Sequence, residues 1–355
     1  MNLPYPDDLS FLLSDPEIMH LLGIPGPLQA DVKVLPLGRF SRNEVYRLVD
    51  PQRTKSVIIK IVRKETDRFW EHHVRREHWL LRLLEHCAPE LAPRPYAVAI
   101  NREWGILSME MCAGDNLADL LEHTATALAR QSLLAEALGV LAILHRILLE
   151  NREIFERVVS SIQLDEVTPV TLQARFHIAL QRLFPSAKGD IEALWHSRGA
   201  LTDRLFGSQV QVIHNSLVPL NILKEEKYVR FIDWETAAVA APEWDLADLL
   251  FNPFTALSPD AALDLIAHSY RGLWDEQRTL VAGLLRSLDY AASATQQAAT
   301  ADSDYVVRLK RRAVCYLNYA QELCLRCGWA ALSDFLTREI AHKPQSGGSR
   351  PRSLT

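Results

Sequence analysis

Two short segments near the middle of the chain constrain its fold and chemistry most strongly. In the first, residues 212–223, an apolar run leads into a polar turn that carries His214 and Asn221. A charged hairpin over residues 224–228 separates it from a second apolar run, which ends in Asp233. This order predicts an amide oxygen and a carboxylate side by side at the ends of two short strands. Both are hard oxygen ligands of the kind that Mg²⁺ accepts beside phosphates.

The size and charge of the chain exclude several classes of protein. Its 355 residues, 48% hydrophobic and 23% charged, suffice for two lobes with cores of their own. The net charge of −5 argues against nucleic acid or a membrane surface as the partner. We expect no signal peptide and no apolar run of bilayer-spanning length. The five cysteines do not resemble a disulfide framework, so a cytoplasmic protein is expected.

The first third of the chain predicts an α+β lobe. After an N-terminal extension over residues 1–30, short β-rich runs alternate with turns up to residue 110. A single amphipathic helix falls after the third of five strands, which is not a βαβ repeat, so no Rossmann sheet is expected. The predicted strands cover residues 32–37, 44–49, 56–62, 96–100 and 105–109, and the predicted helix covers residues 66–86.

The remainder predicts a mainly helical lobe over residues 111–343, interrupted by the two segments described first. Residues 133–149 are strongly apolar and predict a central buried helix. The last residues, 344–355, are rich in Pro, Ser, Gly and Arg and predict a disordered tail.

Two charged residues of the first lobe are candidates for a phosphate site. Lys60 interrupts an apolar strand, where an ammonium is costly unless it finds anions. The commoner alternative is an edge-strand lysine that faces solvent. Glu77 lies on the following helix and could pair with Lys60, although a solvated glutamate beside neighbouring arginines would look the same in sequence.

These features together resemble the aminoglycoside phosphotransferase and choline kinase-like family. The resemblance covers about residues 31–254, and its most specific part is His-Asn-x-Leu-x-Pro-x-Asn-Ile-Leu, from His214, joined to Ile-Asp-Trp-Glu, from Ile232. It implies a bilobal, protein-kinase-like α+β fold with a five-stranded N-lobe carrying one helix and a mainly helical C-lobe. It also implies phosphoryl transfer from ATP, with Mg²⁺, to a hydroxyl of a small molecule.

The resemblance assigns the phosphate and metal contacts to four residues. Lys60 would hold the α- and β-phosphates of ATP, and Glu77 would fix Lys60 by an ion pair. Asn221 and Asp233 would coordinate Mg²⁺.

The resemblance also places the rest of the nucleotide. Residues 38–43, which include Gly38 and Ser41, would cover the phosphates, although one glycine makes a sparse version of a Gly-rich loop. Backbone groups of Glu110 and Cys112 would contact the adenine.

One position departs from the family. His214 and Asp245 would brace the catalytic loop, but Ser216 stands where the family carries the aspartate that deprotonates the acceptor. Loss of a general base is typically worth about 10²–10⁴-fold in rate. Three explanations stay open: a nucleotide-binding pseudokinase with a scaffold or regulatory role, a kinase that uses another acid such as Glu235, or an altered residue at position 216.

The sequence does not name the acceptor or the oligomeric state. Glu235 and Asp248 would suit a cationic small molecule, although acids of this kind are also common on helix surfaces. Trp234, Trp244 and Trp274 could form an aromatic wall for such a cation, but core packing is the more ordinary role for each of them.

Overall fold

The β-rich N-terminal pattern folds into an antiparallel sheet of five strands in the order β1-β2-β3-β5-β4. The computed structural model describes residues 33–37, 43–49, 56–67, 69–160, 167–206, 210–299 and 303–342. The strands of this sheet are β1 (Lys33–Pro36), β2 (Glu44–Val49), β3 (Val57–Arg63), β4 (Pro95–Ile100) and β5 (Trp104–Glu110). Helix α1 (Trp70–Cys87) follows β3. All five predicted strands and the single inserted helix are confirmed.

Helix α1 packs against β3, β4 and β5. On the face of the sheet that meets the helix, the buried Val62 of β3 pairs with Gly105 of β5, and the helix contributes the buried Val74. A Cβ atom on Gly105 of β5 would lie 2.9 Å from a methyl carbon of Val74. The glycine therefore lets the helix approach the sheet closely, and this approach sets how far α1 side chains reach over β3.

The helix begins later than the sequence predicts. A turn occupies residues 64–66, and the Asp67 side chain accepts a hydrogen bond from the Phe69 N–H at 2.9 Å before the helix starts at Trp70. The predicted start at residue 66 is wrong because Asp67 satisfies an N–H group that precedes the helix.

The rest of the described chain is mainly helical, as predicted, with short strands around the two central segments. Strand β7 pairs with β10, and β8 pairs with β6 and β9, in every case antiparallel. The strands are β6 (Asp115–Asn116), β7 (Gln211–Ile213), β8 (Ile222–Lys224), β9 (Val229–Phe231) and β10 (Ala238–Ala240). The helices are α2 (Leu117–His123), α3 (Ala127–Glu150), α4 (Arg152–Ser160), α5 (Pro169–Leu183), α6 (Lys188–Ser197), α7 (Glu243–Leu250), α8 (Pro259–Ser269), α9 (Glu276–Ala298), α10 (Ser303–Cys327) and α11 (Ala330–His342).

The predicted buried helix over residues 133–149 is the C-terminal part of α3. The Thr126 side chain caps the helix by accepting the Ala129 N–H at 3.2 Å, and Leu138, Leu141 and Leu144 are buried. Among the helices of the described residues, α3 is the one long and apolar enough to cross a membrane, a test that the core helix of a soluble protein also passes. The expectation that no apolar run is long enough to span a bilayer is therefore corrected, because α3 passes this test by its length and its mean hydropathy.

The chain divides into two compact units. The first comprises the described parts of Met1–Val167, Gln209–Leu249 and Asp264–Leu273, and so contains all strands of the described residues. The second contains α9 as a buried helix packed against α5 and α10. The predicted lobe boundary near residue 110 stays a prediction, and the predicted N-terminal extension and C-terminal tail lie outside the described residues.

Candidate active site

Lys60 is buried at the centre of a cluster of carboxylates. Its Nζ lies 2.7 Å from Glu77 Oε2, 2.5 Å from Asp233 Oδ1 and 2.8 Å from Glu235 Oε2. These four residues are called the Lys60 cluster below. Strand β3 lies between β2 and β5, so Lys60 is not on a sheet edge and the solvent-facing alternative is wrong.

The charges of the Lys60 cluster explain why a lysine persists there. Burial alone would lower the pKa of the Lys60 ammonium, but the carboxylates of Asp233, Glu235 and Glu77 more than offset burial, and the pKa lies well above its usual value. Burial raises the pKa of the Glu77 carboxyl to about 7, against the opposing effect of Lys60. Glu77 is therefore a core residue, and the solvated alternative is wrong for it too.

Asp233 is the member of the cluster that faces outward. Its side chain is 36% exposed, whereas those of Glu77 and Glu235 are 2% and 7% exposed. Its backbone adopts the left-handed region, with φ 69° and ψ 57°, at the start of the turn Trp234–Thr236. Apart from glycine, Asn and Asp tolerate this region best, and a residue held there commonly marks a functional site. The geometry makes Asp233 the carboxylate most accessible to a ligand.

The oxygen atoms of the cluster fit a divalent cation. The carboxylate oxygens of Glu77, Asp233 and Glu235 lie within 4.8 Å of one another. The same oxygens already surround the Lys60 ammonium, so the outward-facing Asp233 is the member of the cluster best placed to reach a cation as well. Asn221 donates its side-chain N–H to the Ser216 carbonyl at 2.9 Å, which leaves the amide oxygen as its ligand atom. Carboxylate and amide oxygens are suitable Mg²⁺ ligands.

The loop over residues 214–221, called the 214–221 loop below, is held by Asp245 at the start of α7. The Asp245 carboxylate accepts the N–H groups of His214 at 2.9 Å and Asn215 at 2.8 Å, and it contacts Nε2 of His145 at 3.0 Å. Burial alone would raise the pKa of Asp245, but the hydrogen bond and charge of His145 outweigh burial, so the pKa lies below its usual value. The hydroxyl of Tyr270 lies 2.7 Å from the other nitrogen of His145.

The side chain of His214, the first residue of this loop, is buried and packs on Trp234, with ring centroids 4.6 Å apart. Its Nε2 lies 2.8 Å from the Ile232 carbonyl oxygen, so Nε2 carries the proton. Burial lowers the pKa of His214, which keeps the ring neutral. A fully buried neutral imidazole can connect the two central segments but has no access to a substrate.

Ser216 lies half-buried on this loop, with its carbonyl oxygen bound by Asn221. The next N–H, that of Leu217, lies 3.3 Å from the Asp248 carboxylate, which is buried. Glu235, the alternative acid, is 5% exposed, and its Oε2 accepts a hydrogen bond from Asn43 at 2.6 Å in addition to the contact with Lys60. Both acids are thus occupied by the protein itself.

The segment after β5 carries the predicted adenine contacts. Glu110 binds Arg230 through its side chain at 3.0 Å, and the same guanidinium lies 3.5 Å from the Cys112 sulfur. Burial raises the pKa of the Cys112 thiol to about 11, so the thiol is protonated and unreactive near neutral pH. Within the described part of the chain, the Cys112 N–H forms no hydrogen bond, which leaves it available to a ligand. Gly38 and Ser41 lie outside the described residues.

The role of Arg76 was missed in the sequence, and Asn43 was predicted only as the last residue of the phosphate-covering segment. Asn43 binds Glu235, as described above. Arg76, which directly precedes Glu77, is fully buried and donates from Nη1 to the Ala237 carbonyl at 2.9 Å and toward the Glu235 carbonyl at 3.4 Å. Their partners are about 160–190 residues away in sequence, and backbone carbonyls carry no sequence signature, so no local pattern could have identified these contacts.

A lysine held by a helix glutamate, beside an amide and a carboxylate on adjacent loops, defines a site of the kind found in kinase-like phosphotransferases. The sequence profile of the phosphotransferase enzyme family matches residues 33–280, and the chain belongs to this family. The predicted family is confirmed. No curated protein sequence matches the chain significantly.

Solved structures confirm the kinase-like fold. The choline kinase LicA from Streptococcus pneumoniae superposes with a TM-score of 0.57 at 18% identity, over 87% of this chain and 99% of that chain. A choline/ethanolamine kinase family protein from Mesorhizobium loti gives 0.54 at 18% identity, over 93% and 98%. Spectinomycin phosphotransferase APH(9)-Ia, in complex with ADP and spectinomycin, gives 0.50 at 16% identity, over 85% and 93%. At these identities the likeness establishes the fold.

Proposed function

We propose that this protein is an ATP- and Mg²⁺-dependent phosphotransferase that acts on a hydroxyl of a small molecule, at a rate lowered by Ser216. The observation that carries the proposal is the buried Lys60 with Glu77 and the outward-facing Asp233 around it. Phosphoryl transfer depends mainly on positioning and on charge stabilisation, and these are the properties that such a cluster supplies.

Each residue of the Lys60 cluster has a defined task under this proposal. Lys60 would exchange part of its carboxylate contacts for phosphate oxygens, while Glu77 keeps the ammonium in place. Asp233 and Asn221 would hold the metal ion, and the free N–H of Cys112 would bind the nucleotide base. Bound Mg²⁺ would supply positive charge beside the transferred phosphoryl group.

Ser216 limits the chemistry of the acceptor. A serine hydroxyl has no basic form near neutral pH and so cannot take the proton of an attacking alcohol. Glu235 is buried and already accepts hydrogen bonds from Lys60 and Asn43, which argues against its acting as a replacement base. A rate about 10²–10⁴-fold below that of an enzyme with a general base follows from the loss of this group.

The acceptor is proposed as a small polar alcohol. The structures compared above include a choline kinase and a spectinomycin phosphotransferase. Trp234 and Trp244 are buried core residues, and Glu235 and Asp248 are buried too, so none of these four supports a cationic acceptor. An acceptor screen should therefore contain neutral as well as cationic alcohols.

Restoring the acid tests the proposed chemistry. Ser216→Asp should raise acceptor-dependent ATP consumption by about 10²–10⁴-fold, because the new carboxylate can act as general base. Phosphate transfer is measured with the full acceptor panel, and Ser216→Ala serves as the matched control that adds no base. If neither the unmodified protein nor Ser216→Asp transfers phosphate to any acceptor while both bind ATP, the enzyme proposal is wrong.

A nucleotide-binding pseudokinase with a scaffold or regulatory role is the second candidate, and Ser216 itself favours it. Under this alternative, the protein binds ATP with Mg²⁺ but the unmodified chain transfers phosphate to no acceptor. High turnover by the unmodified protein would exclude the pseudokinase.

A further inference from the structure

Arg76 is a fully buried arginine next to Glu77 on α1. Burial of a guanidinium is costly unless its N–H groups find acceptors, so an apolar side chain would serve better if this position only filled space. Two acceptors that Arg76 Nη1 reaches are backbone carbonyls of the segment after Asp233.

Helix α1 holds this segment at three points. Glu77 Oε1 accepts the Trp234 N–H at 3.2 Å. Arg76 Nη1 donates to the Ala237 carbonyl at 2.9 Å and approaches the Glu235 carbonyl at 3.4 Å. Two neighbouring side chains of one helix thus fix residues 234–237 through their main chain.

The fixed segment begins directly after Asp233, whose backbone lies in the left-handed region. A non-glycine residue persists in this region only where its surroundings over-determine the conformation. We propose that Arg76 is a positioning residue for Asp233 and Glu235, acting through the backbone of residues 234–237.

The consequence for ligand binding rests on the proposed function. If Asp233 holds the metal of a metal–nucleotide complex, loss of the Arg76 contacts should reduce the gain in ATP affinity that Mg²⁺ provides. The contacts of the nucleotide with Lys60 and Cys112 should be unaffected. A purely structural arginine would instead lower nucleotide affinity equally with and without Mg²⁺. Lysine should substitute only in part, because its compact, strongly hydrated ammonium is costlier to bury than the weakly hydrated, planar guanidinium.

The first experiment needs no ligand. Hydrogen exchange of the amides of residues 234–237 is measured in the unmodified protein, in Arg76→Gln and in Arg76→Lys. Arg75→Gln is the matched control, because Arg75 is the neighbouring residue, is exposed and, within the described residues, pairs with Glu71 on the helix surface. Exchange at residues 234–237 should become about tenfold faster or more in Arg76→Gln, with a smaller increase in Arg76→Lys, because hydrogen bonds from a charged donor restrain local opening.

The second experiment titrates ATP with Mg²⁺ and with EDTA. Arg76→Gln should lose about tenfold or more of the affinity gained from Mg²⁺ and keep its affinity in EDTA within about twofold, as expected for the loss of hydrogen bonds from a charged donor. Unchanged exchange together with unchanged Mg²⁺ dependence would overturn the inference, and so would an equal loss of affinity in both titrations.

The two experiments separate this inference from the proposed function. If the unmodified protein binds no ATP, the proposed function fails, and the exchange data alone decide whether Arg76 positions the segment. If Arg76→Gln does not fold, Arg76→Lys decides: unmodified exchange at residues 234–237 in that variant contradicts the positioning role.

Discussion

The Lys60 cluster and the 214–221 loop are stabilised by different kinds of contact. The cluster is held by side-chain charges, since Lys60 contacts three carboxylates directly. The loop is held by its backbone, since Asp245 binds the N–H groups of His214 and Asn215 and not the side chain at position 216. Removal of the Lys60 side chain should therefore dismantle the cluster, whereas removal of the side chain at position 216 leaves the backbone contacts of the loop with Asp245 in place.

This difference explains how a serine can occupy position 216 without cost to the fold. No hydrogen bond of the Ser216 hydroxyl to a described residue supports the loop, whose shape comes from Asp245, His145 and His214. In the loop, the groups that hold the backbone are different from the side chain at position 216. In the Lys60 cluster, the same charged side chains hold the structure together and are the proposed ligand-binding groups.

The largest effect is expected from Lys60→Met. The variant leaves the buried carboxylates of the cluster without their ammonium, so stability should fall by about 3–5 kcal/mol and ATP binding should disappear. The stability deficit should shrink as the pH falls, because protonation removes the repulsion among the carboxyls. Urea unfolding at several pH values and calorimetric titration measure both effects, with exposed Lys227→Met as the control. A variant as stable as the parent would show that the cluster is not held by charge.

A smaller effect is expected from Asp245→Asn, which weakens the backbone support of the loop. The loss of charge-assisted hydrogen bonds should cost about 2–3 kcal/mol of unfolding free energy near neutral pH. Because the folded-state pKa of Asp245 lies below its unfolded value, its contribution is fully present above that value and is lost as the pH falls through the folded pKa.

The difference in stability between parent and Asp245→Asn should therefore be constant near neutral pH and shrink in strong acid. Denaturant unfolding across this range measures it, with exposed Asp264→Asn as the control. A gap that stays constant down to strong acid would contradict the depressed pKa of Asp245.

The smallest effect is expected from Ser216→Ala. Since the Ser216 side chain supports neither the loop nor the Lys60 cluster, stability should change by less than about 0.5 kcal/mol and ATP affinity by less than about twofold. Thermal unfolding and calorimetric titration beside the parent provide the measurement. A clear loss of stability would assign the hydroxyl a structural role that the present contacts do not include.

Much of the N-terminal sheet could be predicted because its signals are local. Alternation and turn residues predict the five strands, and the interruption of an apolar strand by Lys60 predicts buried anions. The order of strand lysine and helix glutamate, with the family resemblance, then predicts the pairing of Lys60 with Glu77. The direct contacts of Lys60 with Asp233 and Glu235 were not predicted. The start of α1 was not predictable from periodicity, because it depends on the side-chain hydrogen bond of Asp67.

Contacts between distant segments could not be predicted in the same way. Arg76 and Asn43 resemble ordinary polar residues in sequence, and their roles depend on partners that only the fold brings close. The sequence offers Asp248 either as a contact for a cationic acceptor or as an ordinary helix-surface acid, but Asp248 is buried and accepts the Leu217 N–H at 3.3 Å. A single residue of this kind belongs to no periodic pattern or spaced motif, so the sequence alone does not reveal its partner.

Calorimetric titration of the unmodified protein with ATP, in Mg²⁺ and in EDTA, tests the central claim most directly. If the nucleotide and metal groups are intact beside Ser216, ATP should bind, and Mg²⁺ should tighten binding by about tenfold or more, equivalent to about 1.4 kcal/mol. Absence of ATP binding under both conditions, with a folded protein, would contradict the assignment of Lys60, Glu77, Asn221 and Asp233 to a nucleotide site.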